Sequence, residues 1–256
     1  MANLSGTALG RLLFRFRSFT PVPVIAVLAL VLWHTRGQPA PGGIFIDAAC
    51  DALGLVVALL GQALRFCTLG LVPEGTSGQG SELQATTLNT RGPYAYVRNP
   101  LYLGNFGIVL GLLLIAHQPW AYLIGLGFFF AEYFFIVGAE EQFLRERFSE
   151  RYDEYCQRVP RWIPRLRPAY QGQLRSRFDL GRALKKEHNP FAAWASAAVL
   201  LLGWEMWARG GLRSGVWSLA LVELAIAAAF IGIKGWKRGW PRRLLAWRSN
   251  ELARRR

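Results

Sequence analysis

Residues 91–104, RGPYAYVRNPLYLG, and residues 140–164, EEQFLRERFSERYDEYCQRVPRWIP, decide how this chain is read. The first stretch sits where a polar loop meets a long apolar run. Pro93 and Pro100 each push the preceding residue out of the α region, so the stretch is a shaped loop feeding a helix. Pro100 followed by Leu101 is a natural helix start. The run Leu101 to Ala116 spans about 24 Å as a helix. His117-Gln118-Pro119 then turns the chain, and Trp120 to Ala139 returns it to the pair Glu140-Glu141. Loop, hairpin and acidic pair are thereby expected on one side of a membrane.

Working outward, the chain of 256 residues is 52% hydrophobic with a net charge of +14. Its apolar residues cluster in blocks of about 20, the length that crosses a bilayer core of ~30 Å. The fold expected is all-α and polytopic, with about six transmembrane helices. Besides the hairpin these lie near residues 21–33, 44–66, 191–208 and 215–233. Three segments follow: 1–75 with a basic start and two spans, 76–168 as the core, and 169–256 with two further spans and a basic tail. The first apolar block is too long and Trp-anchored for a cleaved signal, and no small-residue cleavage site follows it. With the N-terminus in the cytosol, only Arg36, Arg209 and Arg213 among the 30 Lys and Arg fall outside, as the positive-inside rule requires. Both termini, the opening motif and the acidic pair then face the cytosol. The basic excess reads as topology and lipid contact, not nucleic-acid binding. Cys50, Cys67 and Cys156 lie far apart, with no Cys/His cluster, so neither a disulfide framework nor a metal site is expected.

Several local patterns carry expectations. Arg11, Arg15 and Arg17 interleave with Phe14, Phe16 and Phe19, as in an interfacial segment. Asp47 and Asp51 lie one turn apart in the second span, either at an end that reaches water or in a pore or acceptor site. Gly104, Gly107 and Gly111 recur at helical spacing, so the hairpin helices can approach closely or a ligand can lie on the backbone. Leu144, Phe148, Tyr152, Tyr155 and Val159 recur every three to four residues, an amphipathic helix that Pro160 and Pro164 end.

Glu140 and Glu141 point about 100° apart on a helix. They either pair with Arg145 or Arg147 or serve a ligand bearing ammonium or sulfonium charge. Two acids closing a helix oppose its dipole, a cost that a cationic partner offsets. Arg98 and Asn99, just before a proline-initiated helix, can grip a carboxylate or an adenine edge, or simply anchor an interface. Tyr94, Tyr96 and Tyr102 are interfacial residue types. Glu132, two turns before Glu140, is an intramembrane carboxylate, either functional or paired with another span's polar group.

The two quoted stretches around a helical hairpin resemble the cofactor-binding region of integral-membrane methyltransferases, the family of isoprenylcysteine carboxyl methyltransferases and phospholipid N-methyltransferases. The resemblance covers residues 76–165. It implies S-adenosylmethionine bound at the cytosolic face and capped by the segment after the acidic pair. By position, Arg98, Asn99, Pro100, Tyr102 and Gly104 match the first cofactor motif, and Glu140 and Glu141 match the second. Glu141, Glu132 and Arg98 are the candidate catalytic side chains. Asn99 stands where eukaryotic carboxyl methyltransferases have histidine, and an amide cannot titrate near neutral pH. That departure points away from a prenylcysteine substrate. The expected acceptor is lipid-borne or membrane-soluble: a phospholipid amine first, a thiol or carboxylate otherwise. The expected location is a bacterial inner membrane. FSERYDEYCQRVPRWIP also resembles the C-terminal end of NADPH-dependent sterol reductases, but an acidic pair suits a donor cationic at sulfur better than polyanionic NADPH. A non-enzymatic membrane protein is the remaining alternative.

Overall fold

The computed structural model describes residues 4–36, 42–73, 83–170, 178–208 and 212–238. The regular structure among them is helical: α1 Leu4–Phe16, α2 Pro21–His34, α3 Ile44–Leu71, α4 Pro100–Ala116, α5 Pro119–Phe148, α6 Glu150–Arg158, α7 Leu180–Ala208 and α8 Leu212–Lys237, with a 3-10 turn at Gly92–Ala95. The chain forms two compact units, Met1–Asp179 and Leu180–Arg256.

Among the described residues, four helices are long and apolar enough to cross a membrane: α3, α5, α7 and α8 from Gly215 onward. The pair α1–α2 passes the same test only when its two helices, bent 74° from each other, are taken together; α4 is apolar but shorter. Large apolar side chains point outward along these helices, with Leu30 68%, Phe45 89% and Leu221 67% exposed. Apolar surface on that scale is tolerated only against lipid or a partner. The protein is an integral membrane protein.

Packing in the first unit turns on glycine. The row Gly104, Gly107, Gly111 faces α3, not the other hairpin helix: a Cβ on Gly111 would lie 2.4 Å from the Gly54 carbonyl oxygen, and one on Gly61 would lie 2.5 Å from that of Gly104. Backbone thus meets backbone, the close approach that small residues permit between helices in a membrane. The α4–α5 contact is aromatic instead, with ring centroids 4.8 Å apart for Tyr102 and Tyr133 and 5.5 Å for Phe106 and Phe129. Helical spacing identifies a face; which neighbour covers it depends on all the other faces.

Helix α5 does not stop at Ala139. It runs through Glu140-Glu141 to Phe148, so the acids lie two turns before its end and the dipole cost expected for them does not arise. The single amphipathic helix expected from residue 140 onward is instead the end of α5 plus α6, broken at Ser149 with φ 45° and ψ −124°. Its apolar face is as the periodicity predicts: Tyr152, Tyr155 and Val159 are buried with Leu144, Phe148 and Leu88 packed on them. A side chain at Ser149 strains that backbone, which favours glycine. Ser149→Gly is therefore expected to stabilise the fold by roughly 1 kcal/mol. The check is a melting curve in detergent; a lowered midpoint would argue against strain there.

Asp47 is buried rather than at a watery end, with its Oδ1 3.4 Å from Nδ1 of His117, the left-handed residue that turns α4 into α5. In the second unit α7 begins at Leu180, well before the expected residue 191, and continues through Pro190. There the Ser196 hydroxyl donates to Glu223 Oε1 at 2.8 Å, tying α7 to α8.

Candidate active site

Residues 91–99 leave a turn in which Gly92 has φ 61°, followed by the 3-10 turn and the start of α4 at Pro100. Residues 160–169 lie along them. The Arg98 N–H donates to the Pro160 carbonyl at 2.9 Å, the Arg165 N–H to Tyr96 at 3.0 Å and the Ala169 N–H to Ala95 at 2.8 Å. Asn99 Nδ2 donates to the Arg161 carbonyl at 3.1 Å, and the Tyr155 hydroxyl to the Tyr94 carbonyl at 2.8 Å. Both sequence motifs are thereby stitched into one strap over the end of α5. Burial raises the phenols of Tyr94 and Tyr155 far above their ordinary range, so both remain hydrogen-bond donors at any physiological pH.

The two glutamates diverge as helix geometry requires. Glu141 accepts from Arg98 Nη1 at 3.0 Å and from Arg161 Nε at 2.9 Å, with a second, close contact from Arg161 Nη2. Neither expected partner is used: Arg145 pairs with Asp153 at 2.8 Å, and no ion pair is seen for Arg147 among the described residues. Arg98 Nη1 also approaches Cys156 Sγ at 3.0 Å. Glu140, in contrast, accepts a hydrogen bond from the Tyr102 phenol.

A cavity of about 180 Å³ opens between these groups, lined among others by Arg17, Arg65, Tyr94, Asn105, Tyr152 and Tyr155. Of the residues singled out from the sequence, Arg98, Asn99, Tyr102, Glu140 and Glu141 line it, whereas Pro100, Gly104 and Glu132 do not. Pro100 is buried at the start of α4. Gly104 faces Arg65 and Gly61 of α3. Glu132 is buried and accepts from the hydroxyl of Thr20, at the bend between α1 and α2. In this structure it pairs with a polar group of another helix and does not line the cavity.

Among the lining polar groups that the sequence reading did not place at the site are Arg65, Asn105 and Arg17. Arg65 donates to Asn105 Oδ1, and Asn105 Nδ2 donates to the Tyr133 hydroxyl at 2.7 Å. Arg65 and Asn105 sit inside apolar runs, and that was a usable signal, since polar groups at such depth carry a function or a partner. Arg17 comes from α1, and nothing in its local sequence connects it with α5.

The lining suits a small zwitterion with a cationic centre and a planar base: a buried carboxylate, guanidinium groups and phenols surround one space. A helical hairpin, an arginine–asparagine–proline turn and an acidic pair thus meet around one polar cavity. Residues 50–151 match the model of the phospholipid methyltransferase family. The chain is 30% identical over 146 residues to a nickel-cobalt-cadmium resistance protein, NccN, of Alcaligenes xylosoxydans xylosoxydans, covering 56% of this chain and 61% of that protein. It is 34% identical over 154 residues to a cobalt-zinc-cadmium resistance protein, CzcN, of Cupriavidus metallidurans, covering 59% and 64%. It is 29% identical over 119 residues to the protein-S-isoprenylcysteine O-methyltransferase of Xenopus laevis, covering 44% and 40%. The chain thus spans less than two thirds of each of these curated relatives. No solved structure matches it.

Proposed function

We propose that this protein transfers a methyl group from S-adenosylmethionine to a lipid-borne or membrane-soluble acceptor. The observation that supports it best is convergence: the first motif and the part of the second up to Tyr155 border one cavity, within or next to the family-matched residues 50–151, and backbone hydrogen bonds join the two motifs beside it. The donor, when bound, supplies an electrophilic methyl group on a sulfonium centre.

The chain's own residues orient and enclose. Glu141 is neutralised by two arginines, so its work is to hold Arg98 and the strap in place. Glu140 has a neutral phenol as its hydrogen-bond partner and is the carboxylate for the cationic part of the donor. Arg98, Arg65 and Asn105, which line the same cavity, would hold its carboxylate or base edge. Tyr94, Tyr102, Tyr152 and Tyr155 exclude water and supply ring faces to a cation. Pro100 and Gly104 serve the site through the backbone, one starting α4 and the other seating it on α3. Orientation and water exclusion are what a direct displacement needs.

The acceptor we favour is a phospholipid amine, entering from the bilayer and presenting a free lone pair; a thiol or carboxylate acceptor fits the same cavity chemistry. The core is residues 76–168, with both termini and the cavity on the cytosolic side of a bacterial inner membrane and six membrane-crossing segments. The one-sided distribution of Lys and Arg supports that orientation.

Binding of S-adenosylmethionine to protein in detergent tests the donor. Glu140→Gln is expected to weaken it by about tenfold or more, as loss of a charge-assisted contact worth ~1.5–3 kcal/mol implies. Glu132→Gln, measured alongside, should bind normally. Displacement of the donor by NADPH, or no binding at all, would refute the reading.

A further inference from the structure

The molecule has a second cleft with no part in that chemistry. It lies between α1 and α5 and is lined by Thr7, Arg11, Phe14, Arg15, Gln142 and Glu146, among others. Leu83 and Phe143 border both this cleft and the cavity described above, so the two spaces are neighbours across those side chains. The cleft measures about 270 Å³.

Helix α1 has three distinct faces. Gly10 and Phe14 are pressed on α5: a Cβ on Gly10 would lie 2.2 Å from the Phe135 carbonyl oxygen, and Phe14 is 1% exposed. Leu9, Leu12 and Phe16 project outward, as does Phe19 just past the helix end, 70% exposed. Arg11 and Arg15, one turn apart, share the remaining face and border the cleft. The alternation of arginine and phenylalanine in α1 is that of an interfacial segment, and the 74° bend to α2 lets α1 lie toward the membrane surface while α2 enters the apolar layer. The outward apolar row then enters the acyl boundary and the two arginines lie at headgroup depth, the arrangement of an interfacial helix.

The polar lining is uneven in charge. Two guanidinium groups face one carboxylate, Glu146, whose Oε1 accepts from Gln142 Nε2 at 2.8 Å. Gln142 Oε1 is buried with no hydrogen-bond partner. The net character of the cleft is cationic, with an apolar floor of Phe14, Ala139 and Phe143.

We propose that the α1–α5 cleft binds the phosphodiester group of a membrane phospholipid, through Arg11 and Arg15, beside the methyl-transfer cavity and separated from it by Leu83 and Phe143. Two arginines one turn apart suit phosphate oxygens. The exposed row of α1 places those arginines where bilayer phosphates are, which favours lipid over free phosphate as the source. The site stands on the geometry of α1 and α5 and does not depend on the donor reading.

The test uses the full chain in detergent, supplied with phosphatidylglycerol and examined by native mass spectrometry for retained lipid. Arg11→Gln/Arg15→Gln is expected to retain about tenfold less lipid than wild type, from two cations lost at an anionic headgroup. The same variant should bind S-adenosylmethionine as wild type does, which separates this site from the donor cavity. Arg147→Gln/Arg151→Gln, also exposed cations of the first unit, should retain lipid normally. Equal retention by wild type and Arg11→Gln/Arg15→Gln overturns the proposal, as does the same loss in Arg147→Gln/Arg151→Gln, which would mean unspecific attraction. Displacement of the lipid by millimolar inorganic phosphate also overturns it, in favour of a soluble-phosphate site.

Discussion

Glu141→Ala is expected to abolish the proposed methyl transfer while leaving the transmembrane helices folded. The carboxylate is 7% exposed and holds two guanidinium groups, Arg98 and Arg161. Without it two like charges face each other across a space that excludes water. Breaking a buried pair costs about 3–5 kcal/mol; Arg161 is 37% exposed, so screening brings the figure to the lower end. The loss falls on the strap, because Arg161 follows Pro160, whose carbonyl receives the Arg98 N–H. A cavity whose lid shifts by an ångström loses about a hundredfold in rate or more. The informative comparison is a double-mutant cycle with Arg161→Ala. The combined loss should be clearly smaller than the sum of the single losses, because removing both partners leaves no orphaned charge. Strict additivity would mean that the two side chains do not act on each other in solution.

Gly111→Leu is expected to be the most damaging single change to the fold. A Cβ there would sit 2.4 Å from the Gly54 carbonyl oxygen and 2.8 Å from the Cβ of Ala58, and leucine adds a branched chain beyond it. Ordinary overpacking costs ~1–3 kcal/mol because neighbours can shift. Here the neighbour is the backbone of α3, so more than about 3 kcal/mol is expected. The yield of monodisperse protein in detergent and its melting midpoint are the measurements. Gly127→Ala and Gly138→Ala provide the contrast, since nothing lies within 4 Å of a Cβ at either. Both should be neutral or stabilising by up to about 1 kcal/mol, the helix preference of alanine over glycine. Equal damage at Gly111 and Gly127 would show that α3 and α4 do not pack through their glycines.

Part of the site was legible in one dimension because its residue types are chemically costly where they stand. Arginine and asparagine before a proline, and paired acids beside an apolar run, call for an explanation wherever they occur. Arg65 and Asn105 carried the same signal and were passed over, each single and embedded in apolar sequence. The partners of Glu141 were not legible. Its nearest arginines in sequence are Arg145 and Arg147, yet those it meets are Arg98 and Arg161. That choice follows from the strap's backbone hydrogen bonds, which no local periodicity encodes. The continuation of α5 past Glu140 was hidden because the fall in hydropathy coincides with the acidic pair, and a change of solvent need not end a helix.

By itself, the sequence determined that this protein is helical and membrane-embedded, that a helical hairpin joins the two motif-bearing stretches, and which face of α6 is buried. Length, apolar periodicity and proline placement are local quantities, and they suffice for those conclusions. Only the tertiary structure decided that the glycine row seats α4 on α3, that Glu132 belongs with Thr20 outside the cavity, and that Arg17 and Arg65 belong inside it. Each of these depends on which helix lies beside which. Neighbour choice is settled by the packing of all faces together, and no single stretch of chain contains that information.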